Sequence, residues 1–192
     1  MKRNGIRAFL VFFACFLFWG GVAAPVSHAE DTAAASWLTV VRGGVLAHDV
    51  GLFGGSEEHG ADLNLELLFV SPAWMEKLWA PHPHLGVCLH TDNDTNQVYG
   101  GLTWEKVFIN HIFLDFSLGL TLHDGDLHCS HHYCHNDKDL GSAVLFREAL
   151  ELGYNITQHH SLSLIVSHMS NAGLSNDNDG MDHVGIRYGY SF

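Results

Sequence analysis

Three features are scarce in this chain of 192 residues, and each shortage excludes a class of protein. Only 9 lysines and arginines stand against 21 aspartates and glutamates, and the net charge of −12 argues against nucleic-acid binding. Proline occurs 4 times and glycine 20 times, a balance that argues against a disordered tract, a collagen repeat or a long helical coil. After residue 30 no run of 18 apolar residues occurs, which excludes a helical membrane protein. The length leaves room for one modest domain.

The N-terminus carries the marks of an export signal. Three basic residues precede an apolar run from Ala8 to Val22, and the small-residue triplet Ser27-His28-Ala29 follows. This order predicts a cleaved signal peptide over residues 1–29 and a mature domain over residues 30–192. A retained transmembrane helix is the weaker alternative, because the run is short and the basic charges lie only in front of it.

Alternation of apolar and polar residues dominates the mature chain. Between Ile112 and Leu122 every second residue is apolar, a period of two that indicates a β-strand. Counting such segments predicts eight strands, near residues 37–48, 61–70, 83–91, 97–108, 110–123, 140–155, 159–170 and 181–192.

Two all-β architectures fit eight such strands. A soluble sandwich or lipocalin-like barrel turns its apolar face inward, whereas an outer-membrane barrel turns it toward lipid around a polar lumen. The last strand favours the second, because its apolar face ends at a terminal aromatic residue, as is common in outer-membrane barrels; the face consists of Val184, Ile186, Tyr188, Tyr190 and Phe192. We therefore predict an all-β protein, an eight-stranded antiparallel transmembrane β-barrel in the cell outer membrane.

Because neighbouring strands run in opposite directions, successive connections lie at opposite ends of the predicted barrel. One end receives an aromatic girdle of Trp37, Trp104, Tyr154 and Tyr190. The loops 49–60, 92–96, 124–139 and 171–180 then face outside the cell, and residues 71–82 are expected to form a short interfacial helix. Glu148 conflicts with this scheme because it falls on the lipid-facing row, where a β-bulge would be needed to turn it away.

Three polar residues also share the outward row. His168 and Ser170 continue the alternation of the seventh strand, and Asp182 shares parity with the apolar residues of the eighth. Side chains on neighbouring strands lie close enough for a hydrogen-bonded triad. The alternative is that the three lie above the hydrocarbon boundary and are merely solvated.

The sequence around these residues resembles a known family. The run from His168 to Leu174, His-Met-Ser-Asn-Ala-Gly-Leu, followed by Asn178, Gly180 and Asp182, is similar to the active-site motif of the PagL-type lipid A 3-O-deacylases. The resemblance covers roughly residues 117–192 well and the first four strands in outline. It implies an outer-membrane barrel that hydrolyses the acyl ester at the 3-position of lipid A, with its catalytic residues on the outer surface.

The resemblance also implies a role for each residue. Ser170 is the nucleophile, His168 the general base, and Asp182 the acid that orients the imidazole, although the family usually presents glutamate there. Asn178, or backbone amides from Asn171 to Gly173, would bind the oxyanion. The substrate would be lipid A (lipopolysaccharide) of the outer leaflet, gripped by the apolar wall; the candidate residues are Leu162, Leu164, Val166, Val184 and Ile186.

The sequence leaves alternative functions open. A non-enzymatic barrel for adhesion or envelope stabilisation, with an inactive motif, is the main rival, and a soluble secreted esterase is a third option. The sequence leaves open whether the barrel forms a homodimer. The implied hydrolysis needs no cofactor and no metal.

Two polar groups fall outside the triad. One group consists of residues of the types that bind zinc, namely His123, His128, Cys129, His131, His132, Cys134 and His135. In an exported loop such a set more often means a local disulfide or a fortuitous cluster, which we favour over a metal site. A polar network inside the lumen is expected from Asn64, Glu66, His90, Glu105, Asp115, Arg147 and Glu151.

Overall fold

The fold is a closed β-barrel. The computed structural model describes residues 37–56, 58–92, 94–109, 111–128 and 138–192. The strands within them are β1 (Leu38–Ala47), β2 (Ala61–Phe69), β3 (His82–His90), β4 (Gln97–Phe108), β5 (Ile112–His123), β6 (Val144–Asn155), β7 (His160–Ser170) and β8 (Met181–Ser191). Each pairs antiparallel with the next, and β8 closes the barrel on β1. The predicted eight-stranded antiparallel barrel is confirmed.

The local elements agree with the alternation to within a few residues. The largest difference is at β6, which begins at Val144, whereas the pattern placed its start near residue 140. The helix expected between strands two and three is a 3₁₀ helix, Ala73–Leu78. No helix in the described part of the chain is both long and apolar enough to cross a membrane. The predicted signal peptide lies outside the described residues and stays a prediction.

The outer wall of the barrel is apolar and the inside is polar. On β2, Leu63 is 56% exposed and Leu65 is 48% exposed, while Asp62 before them and Glu66 after them are at most 1% exposed. The same contrast recurs on β7, where Leu162 and Leu164 point outward and Ser161, Ser163 and Ser167 point inward. Because successive strand residues point to opposite faces, the sequence alternation becomes an apolar exterior around a polar lumen.

Buried ion pairs fill the lumen. Arg42 Nη1 lies 2.6 Å from Asp115 Oδ2 and 2.8 Å from Glu151 Oε2. Arg187 Nη2 lies 2.9 Å from Glu66 Oε1, and Arg187 Nε donates to Glu151 Oε1 at 3.1 Å. Each arginine thus sits between carboxylates from different strands, which compensates charges that would be costly to bury alone.

The other polar residues predicted for the lumen lie around this pair of arginines. Asn64 accepts a hydrogen bond from Arg187, and Glu105 lies 3.7 Å from Arg42. Arg147 stacks over the ring of Tyr99 at 3.8 Å. His90 lies nearer the loop-rich end, where its ring centroid is 4.4 Å from that of His48. Side chains therefore occupy the interior of this narrow barrel.

The two ends of the barrel differ as the sequence predicted. Short connections and the 3₁₀ helix lie at one end, and the longer segments 48–60, 91–96, 124–143 and 171–180 lie at the other. Trp37, Tyr154 and Tyr190 are exposed near the short-loop end. Trp104 corrects the predicted girdle, because it is buried, packs on Phe116 and donates from Nε1 to Leu78 O at 2.8 Å.

Candidate active site

A histidine and an aspartate form a buried pair on the outer wall. The register pairs His168 of β7 with Asp182 of β8. His168 Nδ1 lies 2.6 Å from Asp182 Oδ1, and the two side chains are only 3% and 2% exposed. Both residues share parity with outward leucine and isoleucine side chains, so the pair continues the apolar face. A short bond of this kind fixes the ring and directs Nε2 away from the carboxylate.

Ser170 lies on the same outward row, two residues beyond His168. Two residues of extended strand advance about 7 Å, which a histidine side chain leaning along the strand can largely bridge. Ser170 is 2% exposed. Within the described residues His168 Nε2 is buried without a hydrogen-bond partner, so Ser170 Oγ does not bond to it in this structure. The three predicted catalytic residues therefore share one face, and two of them are bonded.

Residues 48–56 and 58–60, which we call the covering loop, close over this pair from outside. The Phe53 backbone N–H donates to Asp182 Oδ2 at 2.6 Å, and the Phe53 ring meets the His168 ring edge-on at 5.5 Å between centroids. Val50 N–H donates to the backbone oxygen of Asp182 at 2.9 Å. No pattern in the sequence indicates these contacts, because the covering loop and Asp182 are far apart along the chain.

Lys138 ties three loops together beside the pair. Its Nζ lies 2.8 Å from Asp49 Oδ1 and donates to Gly55 O at 2.8 Å and Gly180 O at 2.6 Å. Asp49 and Gly55 belong to the covering loop, and Gly180 directly precedes β8. The ammonium group is buried, and its three donors match the three oxygens. Lys138, which lies between β5 and β6, therefore joins the covering loop to the β7–β8 connection.

The base of the covering loop is anchored by a second cation. His48 lies with Nδ1 2.8 Å from Asp62 Oδ1 and Nε2 2.7 Å from Glu58 Oε2. Burial alone would lower the pKa of His48, but hydrogen bonds to Asp62 and Glu58 outweigh it and raise the pKa to about 9. Burial would raise the pKa of Glu58, but bonds from His48 and Thr95 hold it below its usual value. An imidazolium between two carboxylates therefore holds the loop at neutral pH.

The loop after Ser170 is organised by two asparagines. Asn171 Nδ2 donates to Leu140 O at 3.0 Å and Asp177 O at 2.6 Å, and its Oδ1 accepts the Gly173 N–H at 2.9 Å. Asn178 Oδ1 accepts the Asn171 backbone N–H at 2.9 Å. The amides of Asn171 and Gly173, both predicted as oxyanion donors, are thus occupied here, whereas the Asn178 side chain is held through its Oδ1.

A cavity opens beside Ser170. It measures about 290 Å³ and is lined by Gly141, Ser142, Val144, Phe146, Asn171, Leu174 and Ser175. Phe146 is the register partner of Ser170 on the neighbouring strand. Leu174 at the rim is 82% exposed. The cavity therefore adjoins the predicted nucleophile and combines apolar with polar walls.

Glu148 departs from the expectation made for it. The pairing of β6 with both neighbours runs without a register shift, so no β-bulge turns Glu148 inward. It keeps its outward parity, opposite His168, and is nevertheless only 1% exposed. The bulge prediction was wrong because cover from outside, rather than a backbone irregularity, buries this carboxyl group.

The histidine-rich segment is described only in part. His123 Nε2 lies 2.7 Å from Ser142 O, and His128 Nδ1 lies 2.9 Å from Asp177 Oδ2. The remaining predicted ligands, including Cys129 and Cys134, lie outside the described residues. Cys88 is free and buried in the lumen, where it accepts a hydrogen bond from Asn64.

Comparison with known proteins places the chain in a family. The family model described as lipid A 3-O-deacylase (PagL) matches residues 63–191. The chain belongs to this family. A curated relative, the lipid A deacylase PagL of Bordetella bronchiseptica (strain ATCC BAA-588 / NCTC 13252 / RB50), is 41% identical over 56 residues, which are 29% of this chain. That alignment spans 32% of the relative's length, about a third of it.

Two solved structures resemble this chain. The crystal structure of the outer membrane enzyme PagL covers 80% of this chain and 99% of its own, with a TM-score of 0.58 at 18% identity. The Yersinia pestis outer membrane protein Ail, solved in a phospholipid bilayer nanodisc, covers 82% of this chain and 100% of its own, with a TM-score of 0.47 at 12% identity. The first match shows the barrel that the PagL family shares with this chain.

Proposed function

We propose that this protein is an outer-membrane esterase that removes the acyl chain at the 3-position of lipid A. The observation that carries the proposal is the buried His168–Asp182 pair on the outer wall, in one row with Ser170. Family membership supplies the reaction, since the matching family is that of the lipid A 3-O-deacylases. The cavity beside Ser170 and the apolar outer wall supply a place for an acylated glycolipid.

The proposed location follows from the surface of the barrel. Leu162, Leu164 and Ile186 are each about half exposed on the outer face, an arrangement that water would disfavour and lipid would satisfy. The solved PagL structure named above is of an outer membrane enzyme by its title. Lipid A fills the outer leaflet of that membrane, so the substrate would approach by lateral diffusion along the same wall that carries Ser170.

In the proposed reaction His168 acts as a general base. His168 Nε2 takes the proton of the Ser170 hydroxyl while Oγ bonds to the ester carbonyl carbon, and the carbonyl electron pair moves to oxygen. When this intermediate collapses, the sugar 3-oxygen leaves with the proton from Nε2, and an acyl-serine remains. Water, deprotonated by His168 Nε2, then attacks the acyl carbon of the acyl-serine. When this second intermediate collapses, Ser170 Oγ takes the proton back from Nε2 and the fatty acid leaves. Asp182 holds the ring and offsets its positive charge in both steps.

Oxyanion stabilisation requires donors that are present before the reaction. The Asn178 amino group is the stronger candidate, because its Oδ1 is already fixed by the Asn171 N–H. The Asn171 and Gly173 amides would first have to leave their present acceptors. We therefore assign Asn178 as the main donor and Asn171 as the residue that shapes the loop.

The rival function is a non-enzymatic barrel with an inactive motif. It leaves the buried pair on the lipid-facing wall without a purpose, and polar groups in that position are costly. The homodimer stays a prediction, and the proposed mechanism draws all of its groups from one chain.

The test compares lipid A from cells that express the wild type, Ser170→Ala and Ser167→Ala. Ser167 is a matched control, since it lies on the same strand but points into the lumen. Mass spectrometry should show loss of one 3-hydroxyacyl chain with the wild type and with Ser167→Ala, and none with Ser170→Ala. Unchanged lipid A in all three would favour the non-enzymatic barrel. Heat-modifiable migration on a semi-native gel verifies that each variant is folded.

A further inference from the structure

A row of three ionisable side chains crosses the outer wall at one level. The register places Glu148 of β6 directly opposite His168 of β7, and His168 directly opposite Asp182 of β8. All three share outward parity, so the imidazole has one carboxylate on each side. Cβ atoms of directly opposite residues lie about 5 Å apart. Asp182 bonds to Nδ1, and Glu148 approaches the ring from the other strand.

The carboxyl group of Glu148 forms no hydrogen bond within the part of the chain that the structure describes. Both of its carboxyl oxygens are buried without a hydrogen bond to any described residue, and the same is true of His168 Nε2. Phe53 contacts both the His168 ring and the Trp104–Phe116 cluster, so it lies over the part of the wall that includes Glu148. A buried carboxyl group without a partner is unfavourable, and this one is enclosed beside the proposed catalytic base.

The nearby cations do not account for Glu148. Lys138 directs its three donors to Asp49, Gly55 and Gly180. Arg147 is adjacent in sequence but points into the lumen, where it stacks over Tyr99. Of the described groups that surround Glu148, the imidazole is the one able to become positive during the proposed reaction.

We propose that Glu148 is a positioning residue that stabilises the imidazolium form of His168 during acyl transfer. This rests on the proposed function. The ring is neutral before Ser170 gives up its proton and positive afterwards, so the attraction to Glu148 is stronger in the transition state than in the ground state. An interaction of that kind raises the rate of the chemical step rather than the affinity for substrate. The unfavourable burial of the Glu148 carboxyl group thereby has a function, which is to lower the barrier of the acyl-transfer step.

The experiment compares purified, folded Glu148→Gln and Glu148→Leu with the wild type on lipid A in detergent micelles. Both variants should lower kcat by about 10- to 100-fold and change KM by less than about threefold, the size expected for losing one preorganised charge in a dry site. Glu148→Leu should match or exceed the wild type in resistance to urea, because it removes an unpaired buried carboxyl group. Glu105→Gln is the control, since that glutamate is lumenal and should leave kcat unchanged.

The possible results separate this inference from the proposed function. Wild-type kcat in folded Glu148→Gln, with Ser170→Ala inactive, overturns the role of Glu148 and leaves the esterase standing. A fall in kcat that only parallels a fall in the folded fraction also overturns it, because a structural role predicts that result. An inactive wild type refutes the proposed function and this inference together.

Discussion

Replacing Asp182 by asparagine tests the central feature of the site, its buried hydrogen bond to His168. The carboxylate and ring nitrogen are 2.6 Å apart, and both side chains are at most 3% exposed. Two unit charges about 4 Å apart, at an effective dielectric of about 20, attract by about 4 kcal/mol. Asparagine keeps the shape but removes this attraction to the imidazolium. Since 1.4 kcal/mol corresponds to about tenfold in rate, we expect kcat to fall by about 10³-fold.

Glutamate at the same position supplies the matched comparison. It retains the charge but adds a methylene group where the Phe53 N–H already bonds at 2.6 Å. Overpacking of this size costs about 1–3 kcal/mol of stability. We therefore expect Asp182→Glu to unfold at lower urea concentration than the wild type and to keep kcat within about tenfold of it.

The assay is steady-state deacylation of excess lipid A followed by mass spectrometry, with the folded fraction measured by heat-modifiable gel migration. Asp92→Asn, at an exposed loop position, serves as a control for loss of one negative charge. A folded Asp182→Asn protein with kcat within about fivefold of the wild type would falsify the reasoning, since that corresponds to about 1 kcal/mol.

Two further predictions concern stability. Because the pKa of His48 is raised from 6.5 to about 9 in the folded protein, its contribution is fully present below pH 6.5 and is lost as pH rises through about 9. Urea unfolding at pH 6 and pH 10 should show this loss in the wild type, and an equal loss in His48→Gln would contradict it. Glu151→Leu should lower the unfolding free energy by about 3–5 kcal/mol, because it leaves Arg42 and Arg187 short of a buried partner. Urea titration checks this against Glu105→Gln, whose carboxylate is 36% exposed and should matter little.

Much of the site follows from strand parity. A period of two is rigid, so His168 and Ser170 must share a face once the seventh strand is recognised. The pairing of Asp182 with His168 needed the register as well, which the structure supplies. The barrel itself was predictable for the same reason, because eight alternating segments separated by polar loops leave few other folds.

The cover over the site could not be predicted in this way. Phe53 and Lys138 reach Asp182 and Gly180 through loops, whose course has no periodic signal in the sequence. Parity placed Glu148 on the outer row, but a compensating bulge was expected since nothing in the pattern showed that a loop would shield it. The prediction that Trp104 belongs to the aromatic girdle was wrong for a similar reason, since its burial depends on a contact with Leu78.

The covering loop explains how a polar row is tolerated on an apolar wall and still left ready to react. His168, Asp182 and Glu148 face outward, yet none is more than 3% exposed. The Phe53 ring packs edge-on against the His168 ring, and the Phe53 backbone N–H bonds to Asp182. The bond to Asp182 comes from the Phe53 backbone N–H and not from its side chain. One residue of the covering loop therefore packs on the imidazole through its side chain and holds the carboxylate through its backbone, so the bond to Asp182 does not depend on the identity of the side chain at position 53.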